Sequence, residues 1–256
     1  SRDNYCIDAD KVEQKITSKT QAILATHVYG HPCDVNKIKD LADEYRLPVI
    51  YDGAHAFGTK INGESLLSFG DISTVSFHAT KLFHTIEGGA VITHNPDIAK
   101  KIEILRNFGI HDGEIIDIGI NAKNSEFHAA MGLSTIDLVP NMIKRRKFLS
   151  NIYDNILKET TLTFPQQVDS EQYNYAYYPI LFQSEDELIK VKQNLEKVNI
   201  ESRRYFYPSL NKLLFIGGEE CPISETIART VLCLPLYYDL LANDCENIAM
   251  VVKESM

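Results

Sequence analysis

Two residues in this chain are placed to do chemistry. Asp52 closes the apolar run Leu47-Pro48-Val49-Ile50-Tyr51, and Lys81 ends the stretch Ser73-Thr74-Val75-Ser76-Phe77-His78-Ala79-Thr80-Lys81. Ligands of open α/β sheets bind beyond the carboxyl ends of the strands, so an acid at the end of such a run points toward a site. Gly53-Ala54-His55-Ala56 follows it, and small residues there let a flat ligand lie close to the backbone. A lysine on the turn after a strand forms a Schiff base with a carbonyl once desolvation or a nearby cation lowers its pKa. Taken singly, Asp52 reads as a strand-end acid capping a helix, and Lys81 as a surface lysine.

The pair changes that reading. Pyridoxal phosphate needs a lysine for its aldehyde and an acid to hold its ring nitrogen protonated, the charge that makes the ring an electron sink. Asp52 and Lys81 would have to stand at the ends of neighbouring strands. Short runs rich in Val, Ile and Leu predict those strands at 22–27, 49–52, 74–77 and 90–93. Between the first two, Val35 to Tyr45 carries Ile38, Leu41 and Ala42 at helical spacing, and Arg46-Leu47-Pro48 ends it. Strand, helix, strand is the pattern of a parallel α/β unit. After 96 the pattern turns helical. A helix is expected over 96–108, then a Gly-rich loop over 109–119, then a helical region over 125–158 interrupted near Pro140. A strand at 176–182, a helix at 185–197, a short strand at 232–235 and a last helix predict a small α+β domain. The expected division is 1–135 and 136–256.

The bulk numbers narrow the function classes. The 256 residues are 44% hydrophobic and 24% charged, which suits a globular protein with a real core. A net charge of -9 argues against nucleic-acid binding, and Lys144-Arg145-Arg146-Lys147 reads as a solvated helix face. Five cysteines with no CxxC pair suggest neither a zinc ribbon nor a disulfide framework, as in a reduced cytoplasmic protein. No apolar run is long enough to span a membrane. The chain opens on Ser1-Arg2-Asp3-Asn4 with no Met, which reads as the inside of a loop.

A wider set of blocks then carries a resemblance. They are Asp52-Gly53-Ala54-His55, Gly70-Asp71, Ser76-Phe77-His78-Ala79-Thr80-Lys81 and Thr85-Ile86-Glu87-Gly88-Gly89. Further along come Arg106-Asn107-Phe108-Gly109, Gly119-Ile120-Asn121, Ala129-Ala130-Met131-Gly132 and Cys233-Leu234-Pro235-Leu236-Tyr237. In this order they resemble the DegT/DnrJ/EryC1/StrS family of sugar aminotransferases. The resemblance implies the type I, aspartate-aminotransferase-like fold, a mixed and mostly parallel sheet with a smaller C-terminal α+β domain. It implies pyridoxal 5'-phosphate as cofactor, Lys81 as Schiff-base lysine and proton shuttle, and Asp52 as partner of the ring nitrogen. His55 would bond the phenolic oxygen, and Ser76 the phosphate. Asn121 would reach the phosphate of a neighbouring subunit, which implies a homodimer with shared sites. Arg203, Arg204 and Tyr205 fall in the segment that shapes the nucleotide-sugar pocket.

The family's dehydrating branch has His in place of the lysine, so Lys81 favours transamination. Ser-Phe-His-x-x-Lys with Thr-x-Glu-Gly-Gly resembles members that aminate C4 of a 4-keto-6-deoxy sugar, here expected to be dTDP-linked, with glutamate as donor and O-antigen synthesis as the setting. Tyr51 and Gly53 flank Asp52 where the family often has Glu and Ala. The family's upstream phosphate loop and stacking aromatic have no counterpart here, so the chain is expected to lack the N-terminal part and, alone, to bind cofactor weakly or not at all. A non-catalytic module with the same fold stays open as the alternative. A metal hydrolase lacks its HExxH pattern, and a serine hydrolase its G-x-S-x-G elbow.

Overall fold

The computed structural model describes residues 1–167 and 171–256, which form two compact units. The first comprises Cys6–Val139 with Ser170–Tyr173, the second Ser1–Tyr5, Pro140–Asp169 and Asn174–Met256. The chain therefore divides four residues after the expected 135/136 boundary, and its first five residues join the later unit.

The first unit is built on a four-stranded sheet of Ile23–Thr26, Val49–Asp52, Ile72–Ser76 and Gly89–Ile92, neighbours in that order. A short α1 (Ala9–Val12) leads into β1 (Ile23–Thr26), α2 (Val35–Tyr45) and β2 (Val49–Asp52). Asp34 caps α2 by accepting the Lys37 N–H at 3.0 Å, and Arg46 ends it in a left-handed conformation (φ 52°). The helix thus returns the chain parallel to β1, with Thr26 opposite Asp52. A hairpin of β3 (Lys60–Ile61) and β4 (Glu64–Ser65) turns on Asn62-Gly63, whose positive φ values of 50° and 83° suit a two-residue turn. Next, β5 (Ile72–Ser76) lies parallel to β2 with Thr74 opposite Asp52, and β6 (Gly89–Ile92) returns antiparallel, Gly89 opposite Ser76. The three parallel strands end on one edge at Thr26, Asp52 and Ser76. Along β2, Val49 and Tyr51 are buried with Ile23, Ala25, Ile38, Leu66 and Val75, so Asp52 faces away from that core.

Helix α3 (Pro96–Leu105) stops three residues short of expectation. What reads as a Gly-rich loop contains a hairpin, β7 (Ile110–His111) and β8 (Glu114–Ile115), turning on Asp112-Gly113. Helix α4 (Glu126–Thr135) follows, and β9 (Glu171–Gln172) later pairs with β3.

Helix α5 (Val139–Leu157), in the second unit from Pro140 onward, takes that proline into its first turn, where a missing N–H costs nothing. The interruption expected there is a 3-10 turn at Ile136–Leu138. Strand β10 (Tyr178–Leu181) pairs antiparallel with β11 (Val231–Leu234), with α6 (Glu185–Lys197), α7 (Pro222–Thr230) and α8 (Ala242–Ser255) around them. Leu149, Tyr153, Ile180, Leu188, Val191, Leu232 and Val252 form a fully buried core. No described helix is long and apolar enough to cross a membrane.

Candidate active site

The carboxyl edge of β1, β2 and β5 gathers the titratable groups. Asp52 ends β2, and one of its oxygens accepts the Ala54 N–H at 3.0 Å, which fixes the carboxylate at the strand end. Gly53 is required just beyond, because a Cβ there would lie 2.4 Å from Leu67 Cδ2 and 2.9 Å from the Thr74 carbonyl.

Lys81 is carried on the loop between β5 and β6. Backbone bonds from Phe77 N–H to the Gly88 carbonyl (2.8 Å) and from Thr85 N–H to the Phe77 carbonyl (2.9 Å) close that loop at its neck. Beneath it Phe57, Phe77 and Phe83 pack as a triad, with centroids 4.8 to 5.7 Å apart. Phe57 follows the Asp52–His55 segment, so the triad joins that segment to the lysine loop.

The electrostatics follow from this packing. Burial pushes the Lys81 ammonium below the ordinary lysine range, with Asp52 pulling the other way. Burial, and secondarily the Lys81 charge, lowers His55 to about 3. The backbone N–H of Tyr29 donates to His55 Nδ1 at 3.2 Å, and the two rings lie nearly parallel. A neutral imidazole accepting at Nδ1 carries its proton on Nε2, so His55 presents a donor there. Tyr29 was not singled out from sequence. It sits in a turn after β1 with φ 55°, and its contribution is a backbone group, which residue type does not advertise.

Ser76 closes β5. Its oxygen accepts the His78 N–H at 3.4 Å, and its hydroxyl hydrogen has no acceptor among the described residues. The structure thus brings Asp52, His55 and Lys81 into mutual influence, with Ser76 on the adjacent strand end. Asn121 is exposed and bridged through its backbone to Asn107, with no described bond to that group. Arg203, Arg204 and Tyr205 belong to the second unit. There Arg203 donates to the Tyr205 hydroxyl at 2.6 Å. Arg204 pairs with Glu185 at 2.6 Å, bonds the Arg229 carbonyl and lies 3.7 Å over the Tyr207 ring.

Among the described residues, no group of three or more His, Cys, Asp or Glu side chains converges as a metal site. An amine held below its usual pKa, a carboxylate at a neighbouring strand end, a neutral imidazole donor and a free hydroxyl fit pyridoxal phosphate: aldehyde, ring nitrogen, phenolic oxygen and phosphate each find a partner type.

Comparison with known proteins agrees with this geometry. The chain is 39% identical over 255 residues to the dTDP-4-amino-4,6-dideoxy-D-glucose transaminase of Shigella dysenteriae, covering 95% of this chain and 69% of that protein. It is 38% identical to the Escherichia coli enzyme of the same name, over 98% of this chain and 69% of that one. Among solved structures, DesI in the presence of its TDP-sugar product superposes with a TM-score of 0.91 at 31% identity, over 99% of this chain and 67% of that chain. The family profile itself matches residues 1–253, and the chain belongs to the DegT/DnrJ/EryC1/StrS aminotransferase family.

Proposed function

We propose that this chain carries the reaction centre of a nucleotide-sugar aminotransferase that moves an amino group from an amino acid, with glutamate the expected donor, to a dTDP-linked 4-keto-6-deoxy sugar. Family membership supports the amino transfer, and the names of the two bacterial relatives support the substrate. The family's cofactor is pyridoxal phosphate, which supplies an electrophilic aldehyde and an electron-withdrawing ring.

The observation that carries the reading is Lys81 desolvated beside Asp52 and His55. A lowered pKa leaves more of the Lys81 amine neutral at physiological pH, able to bond the cofactor and, when released, to take and return a proton at Nζ. Asp52 would supply the negative charge that keeps the ring nitrogen protonated. His55 would donate from Nε2 to the phenolic oxygen, and the Ser76 hydroxyl would donate to the phosphate. Arg203, exposed and not tightly paired with an acid, suits the substrate diphosphate better than Arg204, whose charge Glu185 already balances. Tyr205 orients Arg203.

A homodimer with Asn121 reaching the neighbouring site is part of the same reading. Its support is the exposed apolar side chains that precede and follow that residue in sequence: Ile118 is 92% exposed, Phe127 87%, and Ile115 and Leu133 78% each. A lone domain rarely leaves so much apolar surface in water. A cytoplasmic enzyme serving O-antigen synthesis is the setting proposed.

The test is an absorption spectrum. Mixed with pyridoxal phosphate, the protein should gain a visible band that shifts on adding glutamate and is absent in Lys81→Ala. No band under saturating cofactor, in this chain and in a form extended at its N-terminus, would overturn the reading and favour a non-catalytic module.

A further inference from the structure

We propose that His78 is a positioning residue for Lys81, its imidazole clamping the turn that presents the lysine. This rests on reading Lys81 as the cofactor lysine.

Within the loop, the Lys81 backbone N–H donates to the His78 carbonyl at 2.9 Å. The His78 side chain closes the same turn from the other side. Its Nδ1 lies 3.2 Å from the Thr80 backbone N–H and 2.9 Å from the Thr80 hydroxyl. A backbone N–H is always a donor, so Nδ1 must accept, and the ring proton must sit on Nε2. That nitrogen faces Glu87 Oε1 at 3.6 Å, which favours this tautomer. Glu87 is itself fixed at the loop's return. Its N–H donates to the Thr85 carbonyl, and its own carbonyl accepts the Thr85 hydroxyl at 2.7 Å. Glu87, His78 and Thr80 therefore tie the outgoing and returning arms of the loop together across the base of Lys81.

The pair is exposed, with side-chain accessibilities of 46% and 66%, so its contact adds little to global stability. Its effect is local. Without it, the turn from His78 to Lys81 loses its side-chain closure and keeps only its backbone bonds and the packing beneath it, and the amine moves toward water. Because His78 is half exposed, removing it opens no buried cavity. An Asn at position 78 can accept the same Thr80 N–H through its side-chain carbonyl, as Asn does two residues ahead of an amide in an Asx turn. Ala cannot.

The experiment compares wild type, His78→Ala and His78→Asn by two readouts. The first is kcat and KM for amino transfer from glutamate in the cofactor-loaded enzyme. The second is the rate at which acetic anhydride labels Lys81 in the cofactor-free protein, read by peptide mass spectrometry. His78→Ala should lower kcat by about 10- to 100-fold with little change in sugar KM, the scale of a mispositioned reacting group. It should also slow Lys81 labelling by about threefold near neutral pH, because a better-solvated amine is more fully protonated. His78→Asn should recover most of both losses. The proposal is overturned if His78→Ala matches wild type, or if His78→Asn is as impaired as His78→Ala. If no form transfers amino groups, the aminotransferase reading falls, while the labelling rates still decide whether His78 positions the lysine.

Discussion

Lys81 and Arg204 are both partly buried cations, and they are held in opposite ways. Around Lys81 burial outweighs the attraction of Asp52, and the ammonium is easier to deprotonate. Around Arg204 it supplies an acid at 2.6 Å, a carbonyl and an aromatic face. A guanidinium cannot give up its proton, so its desolvation has to be met by partners. An amine whose burial outweighs its attractions can lose the proton instead, and that makes it a nucleophile. The comparison teaches that a site intended for chemistry is marked by burial that outweighs its opposing charge, whereas a structural cation is marked by an acid in direct contact. Mutations should therefore separate the two regions, with activity lost from the first and stability from the second.

The sharpest separation is expected at the lysine. Lys81→Ala should reduce amino transfer on the order of 10⁴-fold, as removal of a nucleophile does in other enzymes, with an unchanged melting midpoint. Steady-state kinetics beside calorimetry would test both halves, and a large stability loss would refute the contrast. Asp52→Asn should follow, with a loss of about 10²- to 10³-fold, because a neutral amide cannot hold a ring nitrogen protonated. Tight cofactor binding with normal turnover in that variant would remove Asp52 from the ring.

A third effect concerns pH. His55 and His27 both have folded pKa values near 3 against an ordinary 6.5, chiefly because burial opposes their charged forms. Between these values the unfolded chain binds more protons than the folded one. Stability should thus be full above about pH 6.5 and fall as the pH drops, by about 1.4 kcal/mol per pH unit for each histidine. Denaturant titrations between pH 7 and 5 would measure the slope, and His55→Gln should remove one histidine's share. A flat profile would mean that these imidazoles are not buried neutral.

The parts of this contrast that residue type can announce were legible in the sequence. Helices α2 and α6 match expectation at both ends, because Asp34 and Ser184 cap them through side chains and periodic apolar positions fill them. Strand β2 ends at Asp52 as expected, since a continuous apolar run stops there. The two short hairpins were not anticipated, although Asn62-Gly63 and Asp112-Gly113 are turn signals, because two-residue strands show no periodicity. Helix α7 was missed as well. Cys221 makes no side-chain cap, and the capping acid is Glu225, which accepts the Cys221 N–H at 2.9 Å from inside the helix. The residue types of the site could be read, but not the protonation states. Those depend on the Tyr29 amide, twenty-six positions from His55, and on packing around Phe57, Phe77 and Phe83.

Glu185 gives the smallest expected effect and the most direct test of what compensation means here. Glu185→Ala leaves Arg204 its bond to the Arg229 carbonyl and its place over Tyr207, but removes the only carboxylate that the described residues place against it. The two side chains are 17% and 31% exposed, between the surface and fully buried cases. A cost of about 2 kcal/mol follows from that position, since water screens part of the unpaired charge. In a chain of this size that lowers the melting midpoint by roughly 4–8 °C. The double variant Glu185→Ala with Arg204→Met should recover most of the loss, because it removes the stranded charge while keeping a side chain on Tyr207. If the double variant is instead less stable than Glu185→Ala alone, Arg204 stabilises the unit without its acid. The pairing with Glu185 would then be incidental rather than the reason a cation is tolerated there.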